Sequence, residues 1–259
     1  MKKNRLYTLF TSLLAILFAM TSIAAAGPGD KKTPLEIDPG DFVREVNNEF
    51  FPLKPGTRFI YRGESEGAPT RDVMIVTHKT KEILGVITTV VHHLNYEDGV
   101  LIEDTFDWFA QDKDGNVWYF GEDTKELDED GNVISTAGSW EAGVDGAEAG
   151  IIMLANPQVG DSYSQELAPG VAEDMAEVIG FEDSLCVKFG CFEDVLVTKE
   201  WTPLEPDIVE HKYYAEGVGF IFGIMVEGGE EQIELVRVRR QDSDRDNHDN
   251  DNDGKDNDD

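Results

Sequence analysis

The sequence predicts an all-β protein, a curved antiparallel meander sheet or β-barrel with one short N-terminal helix and a disordered acidic C-terminal tail. Three observations predict it. Short runs rich in Val, Ile, Thr, Phe and Tyr recur from Arg58 onward; turn signals such as Asp98-Gly99, Asp114-Gly115 and Asp130-Gly131 separate them; and almost no helix-length apolar period lies between. Strands joined by short turns pair antiparallel, and about a dozen of them are too many for a flat open sheet. Closure into a barrel, with the helix or a Gly-rich loop over one mouth, is the economical arrangement; a two-sheet sandwich is the alternative.

The chain divides into four parts. Residues 1–26 open with Lys2, Lys3 and Arg5, run through an apolar stretch and end at Ala24-Ala25-Ala26, the three regions of a cleavable export signal. No Cys follows the apolar stretch, so a lipid anchor is not expected. Residues 27–40 form a polar N-terminal arm. In the β-rich domain, residues 41–240, Asp41 is placed to cap a helix carrying Phe42, Val46 and Phe50, and Pro52 ends it. Strands are then expected over 58–63, 71–78, 85–96 and 100–111, followed by a hairpin. Residues 137–161 are Gly-rich and poorly periodic and read as a long loop, after which strands resume to residue 239. Residues 241–259 hold nine Asp and form the tail.

Residues 104–123, DTFDWFAQDKDGNVWYFGED, form a hairpin whose turn chemistry leaves two registers open. A two-residue turn at Asp114-Gly115 pairs Gln111 with Trp118, Phe109 with Phe120 and Asp107 with Glu122. A three-residue loop with Gly115 left-handed instead pairs Ala110 with Trp118, Trp108 with Phe120 and Phe106 with Glu122. Facing carboxylates destabilise a sheet, so a close Asp107 and Glu122 require a shared proton, a cation or full solvation. One reading is an acid and base pair or cation site floored by Trp118 and Phe120. The other is a solvent-facing acidic strand edge.

The formal net charge is -31 and becomes -34 once residues 1–26 are removed; the tail contributes -7 of this, leaving -27 on the body. Such a body repels nucleic acid and anionic membranes and attracts cations or basic partners. Cys186 and Cys191 have a spacing that sets them opposite each other across a tight turn, and export permits their oxidation. In the tail, Asp249, Asp251 and Asp253 alternate before Gly254 like the first half of an oxygen-ligand calcium loop, but no twelfth-position Glu follows, so calcium binding there is expected to be weak. No other cofactor is implied. His92 and His93 point to opposite faces of a strand and cannot share one metal, while His211 reads as a core or pocket histidine. No G-x-S-x-G elbow, Cys-His pairing or phosphate loop is present.

The segments FFPLKPGTRFIYRG, DWFAQDKDGNVWYFGED, GSWEAGVDGA, LVTKEWTPLEP and EHKYYAEGVGFI, in this order over residues 49–238, resemble a widespread family of uncharacterised exported bacterial β-rich proteins. More distantly, the Phe-Pro-x-x-x-Gly opening and the Tyr-x-x-x-Gly-Val-Gly run are similar to periplasmic families with barrel-like folds. The resemblance implies all-β architecture and no catalytic residues, and the tail and the Cys pair depart from its pattern.

The expected function is that of an exported, soluble, monomeric binding protein, periplasmic or extracellular, taking a small molecule or cation, without nucleic-acid partners and without membrane insertion after signal cleavage. Its binding residues are expected among Asp107, Trp108, Trp118, Phe120, Glu122 and Trp140. Two alternatives remain. One is a hydrolase acting on a carbohydrate or cationic substrate through Asp104, Asp107, Glu122 or Glu141. The other is an acidic envelope or matrix protein.

Overall fold

The computed structural model describes residues 37–240. The signal segment, most of the N-terminal arm and the tail with Asp249, Asp251 and Asp253 lie outside the described residues. No helix among the described residues is long and apolar enough to cross a membrane.

A 3-10 turn, Pro39–Asp41, leads into three short strands, β1 (Phe42–Val43), β2 (Val46–Asn48) and β3 (Phe51–Leu53). The long strands follow: β4 (Thr57–Ser65), β5 (Ala68–Ile83), β6 (Val86–Glu97), β7 (Val100–Asp112) and β8 (Val117–Leu127). Five short ones come next: β9 (Val133–Ser135), β10 (Trp140–Glu141), β11 (Glu148–Met153), β12 (Ser162–Ser164) and β13 (Glu166–Leu167). The chain closes with β14 (Met175–Val187), β15 (Gly190–Thr202), β16 (Glu205–Ala215), β17 (Gly219–Glu227) and β18 (Glu231–Arg240).

The main sheet runs β12-β14-β15-β16-β17-β18-β4-β5-β6-β7-β8-β11-β13, antiparallel throughout. Neighbours in space are mostly neighbours in sequence, as a meander requires, and the one long connection joins β18 to β4 along nine residue pairs. The sheet curls until its two ends nearly meet. Where they approach, a Cβ on Gly150 of β11 would stand 2.2 Å from the Gln165 carbonyl oxygen, between β12 and β13, so only glycine fits.

The expected helix at residues 41–52 does not form. The four-residue spacing of Phe42, Val46 and Phe50 mimics a helix face, but so short a helix gains little by itself, and strand partners outbid it. Phe42 pairs with Asp112 and Val46 with Leu53, while the Gln111 amide oxygen accepts from the N–H groups of Asn47 and Asn48 at 2.8 Å each. Asp38, not Asp41, caps the preceding turn, its carboxylate accepting from Gly40 N–H at 2.8 Å. This segment straps one mouth of the barrel. Asn48 donates to the carbonyls of Gly115 and Leu154, each at 2.9 Å, and the Glu49 carbonyl accepts from Gly217 N–H at 2.8 Å, linking the β7–β8 turn to the β16–β17 turn.

Residues 137–161 are likewise not a plain loop. They supply β10 and β11, both paired with β8 through Trp140 opposite Glu122 and Gly150 opposite Tyr119. Backbone approaches too close for a side chain take the place of the β-branched residues that mark other strands, which is why their sequence looks aperiodic.

Cys186 and Cys191 face each other at the tip of the β14–β15 hairpin and form a disulfide. The tip folds onto β18: Phe189 N–H donates to the Leu235 carbonyl at 3.1 Å, and Lys188 N–H to the Glu234 carboxylate at 2.8 Å. A bridge closing so small a loop supplies about 2 kcal/mol at most through chain entropy. Replacing both cysteines by serine should therefore lower unfolding stability by no more than about 2 kcal/mol in urea titrations. A larger loss would mean that the bridge holds more than the hairpin.

Candidate functional site

The alternation of β7 and β8 turns Glu103, Thr105, Asp107 and Phe109 inward against Glu126, Thr124, Glu122 and Tyr119. The hairpin realises both expected registers in succession. At its tip Gly115 is left-handed (φ 98°), Asp112 N–H donates to the Asn116 carbonyl, and Ala110 pairs with Trp118, as the three-residue loop demands. A bulge then inserts one extra residue into β8, with Gly121 at φ 125°, and beyond it Asp107 stands opposite Glu122.

Both carboxyls are buried. They meet one hydroxyl: Tyr119 Oη lies 2.7 Å from Asp107 Oδ1 and 3.0 Å from Glu122 Oε2. A phenol has a single proton and can donate to one of them, so the other must carry its own proton and donate back. Glu166 completes the group from β13, accepting at 3.4 Å from the Trp140 indole. On the opposite wall, β15 and β16 bring Glu200 beside Glu210, with Lys212 Nζ 2.7 Å from Glu200 and 3.7 Å from Glu210.

Between these walls lies a cavity of about 140 Å3. Its polar lining includes Asp72, Asp107, Glu166, Asp174, Glu200 and a single cation, Lys212; its apolar lining includes Phe51 from the strap, Met74, Phe109, Ile152 and Phe220. Ile152 reaches the cavity because β11 shifts register between Ile151 and Met153. Phe109 stacks on Tyr119 at 4.7 Å, and Phe51 packs edge-on against Phe109 at 5.3 Å.

Burial dominates the electrostatics. It pushes Asp107 up to about 6 against the opposing pull of the Tyr119 hydrogen bond, and Asp72 up to about 8 with help from the Glu103 charge. Asp174 rises to about 6 and Glu210 to about 7, burial again leading and Lys212 working against it. Glu122 and Glu166 are raised well above the usual carboxylate range by burial first and by neighbouring carboxylates second. Burial works against the Lys212 charge too, but Glu200, Glu210 and Asp174 outweigh it and hold the ammonium above the ordinary lysine range. His93 is lowered to about 4 by burial, then by His92 and Lys212, and is neutral at pH 7.

Of the residues expected at a site, only Asp107 lines the cavity, with Glu122 directly beside it. The four aromatics expected there do not line it. Trp108 faces outward beneath Lys81, whose Nζ stands 3.2 Å above the indole and 2.7 Å from Glu141. Trp118 donates to Asp112 at 2.8 Å and meets the edge of Phe42; Phe120 is fully buried under the same ring. Trp140 touches Tyr119 edge-on from behind the cavity wall. For Trp118 and Phe120 the bulge is the reason, since it changes which of two adjacent β8 residues points inward, whereas Trp108 is on the opposite face of β7 from Asp107 and Trp140 is on β10. Asp104 lies outside, 2.8 Å from His92, and Glu141 lies outside with Lys81, so neither joins Asp107. His93, rather than His211, is the histidine at the cavity. A glycosidase keeps about 5 to 10 Å between its carboxyls for the sugar, whereas here the Tyr119 hydroxyl occupies the gap. No group of three or more His, Cys, Asp and Glu among the described residues is placed to hold a metal ion.

Asp72, Glu166, Asp174, Glu200, Glu210 and Lys212 were not singled out in the sequence. Their signal was present in Thr198-x-Glu200 and Glu210-x-Lys212-x-Tyr214, alternations that differ from an exposed strand face only in lying on the inward side.

No protein family matches the chain, and no curated protein does. Two crystal structures are similar to it. One is a protein of Bacteroides fragilis described as exported and of YmcC-like fold, 14% identical, covering 74% of this chain and 100% of its own, with a TM-score of 0.45. The other is a protein of Parabacteroides distasonis described as a lipoprotein, 12% identical, covering 74% of this chain and 99% of its own, with a TM-score of 0.44. At these TM-scores neither likeness bears on the reading of the cavity.

Proposed function

We propose that the protein is an exported binding protein whose barrel interior holds one small ligand. The observation that carries this reading is the cavity of about 140 Å3, polar on some walls and aromatic on others, with two buried side chains on it, His93 and Gln165, whose ring Nε2 and amide Nε2 have no hydrogen-bond partner. Buried polar groups are normally satisfied, and a ligand in the cavity would satisfy these. The volume suits a compact ligand, since an apolar cavity of about 150 Å3 accommodates benzene. Export is supported by the N-terminal signal pattern and agrees with the Cys186–Cys191 disulfide, a bond of oxidising compartments. The reading as an acidic matrix protein rests on the tail, outside the described residues.

Benzyl alcohol is a suitable neutral probe. Saturable NMR shifts are expected at the methyl groups of Met74, Val91 and Ile152, which line the cavity, and filling it with Ile152→Trp should remove them. Unsaturable shifts, or identical titrations of the native and Ile152→Trp proteins, would show that the interior takes no ligand.

A further inference from the structure

We infer that the ligand is a small organic cation, a primary ammonium on a body of about benzene size, met by Asp107 and Glu166 at its charge and by Gln165 at a hydrogen-bond acceptor. This deepens the binding reading and rests on it.

The cavity is chemically lopsided. Five carboxyls line it, and its one cation, Lys212, is already engaged by Glu200 and Glu210 on the far wall. On the near wall the Lys212 charge is felt at Glu166, but no ion pair among the described residues reaches Asp107 or Glu166. Asp107 and Glu122 share the Tyr119 hydroxyl, Glu166 has the long indole contact, and the Asp107 and Glu166 charges act on each other. Carboxyls are held together this way only with protons between them or with a cation present.

An ammonium has three donors and no acceptor, which fits a wall of acceptors. The stacked Phe109 and Tyr119 rings offer it a π face at the same wall.

The second observation is independent of the acids. Gln165, only 3% exposed, lines the cavity with its amide Nε2 lacking a hydrogen-bond partner, and His93, 9% exposed and neutral at pH 7, lines it with Nε2 likewise unpartnered. An ammonium alone could donate to His93 Nε2 but could not satisfy the Gln165 N–H2, which needs an acceptor. The ligand therefore carries an oxygen or nitrogen acceptor in addition to its charge. An anion is disfavoured by the same count, since Lys212 is the only positive side chain on the lining.

Three probes of one shape separate the alternatives: benzylamine, benzyl alcohol and benzoate, each titrated at pH 7 and followed at the Met74, Val91 and Ile152 methyls. Benzylamine should bind at least about tenfold more tightly than benzyl alcohol, and benzoate more weakly than either. Asp107→Asn and Glu166→Gln should each bring the ratio of amine to alcohol affinity toward one, whereas Glu82→Gln, on the exposed outer side, should leave it unchanged. Equal affinity for amine and alcohol, or tightest binding of benzoate, would overturn the cationic assignment while leaving the binding reading standing. An interior that none of the three perturbs would overturn both.

Discussion

Lowering the pH from 8.5 to 5.5 should raise the midpoint of thermal unfolding of this protein by at least about 6 to 12 °C, the reverse of ordinary acid destabilisation. The sign follows from the raised interior acids. Asp72 ionises near pH 4 in the unfolded chain but is held up to about 8 in the fold by burial and by Glu103, and Asp107, Asp174 and Glu210 are raised to about 6, 6 and 7. His93, lowered to about 4, works the other way, but the raised acids outweigh it, so the folded state binds more protons than the unfolded one over this range. Each such acid contributes stability that is fully present below the unfolded value and is lost as pH rises through the folded value. For Asp72 alone the change between the two pH values is about 3 kcal/mol, which in a domain of this size gives about 6 to 12 °C by itself, and Asp107, Asp174 and Glu210 add to it. Repulsion among surface acids works in the same direction, so the variant Asp72→Asn is the discriminating measurement. Its midpoint should vary with pH roughly half as much as that of the native protein. A native midpoint that is equal or higher at pH 8.5 would contradict the buried, protonated interior.

Gly121→Ala should cost about 3 to 5 kcal/mol, far above what a surface glycine replacement costs. Two terms combine. The residue sits at φ 125°, where an L side chain is strained, and its Cβ would stand 2.2 Å from the Trp140 carbonyl oxygen. Relief requires β10 to leave β8, taking Trp140 from its place against Tyr119 and Glu166. Gly67→Ala is the matched control, since that glycine also has a positive φ, 81°, but open space around it, and it should cost about 1 kcal/mol. Urea unfolding gives the energies, and tryptophan emission reports whether Trp140 has moved. A Gly121→Ala loss no larger than that of Gly67→Ala would show that the β8 bulge does not depend on glycine.

The antiparallel meander was legible because turn chemistry is local: Asp98-Gly99, Asp114-Gly115 and Asp130-Gly131 all mark hairpin connections. The segment at residues 42–53 was not, because its partners, Gln111 and Gly115, lie more than sixty residues away and no local spacing reports them. The site was half legible. That Asp107 faces Glu122 follows from counting back from the turn, but which register holds depended on a bulge at Gly121 that closes only against Trp140. The other cavity acids were hidden for a different reason. In a chain with 53 Asp and Glu, a carboxylate on an inward strand position looks the same as one on the outside, and only curvature of the sheet decides which it is.

The tip of the β14–β15 hairpin has a role out of proportion to its energy. β17 pairs with β18 through Phe222, Gly223 and Ile224, and farther along β18 it is Phe189, in the turn clasped by the disulfide, that takes the Leu235 carbonyl. The clasp thereby occupies part of a sheet margin that would otherwise offer unpaired backbone groups to another chain. Reduction would change the unfolding free energy little, yet it would loosen the cover on that margin. Loss of the Cys186–Cys191 bond should then appear first as self-association of folded molecules in light scattering, edge to edge, rather than as a lower melting midpoint.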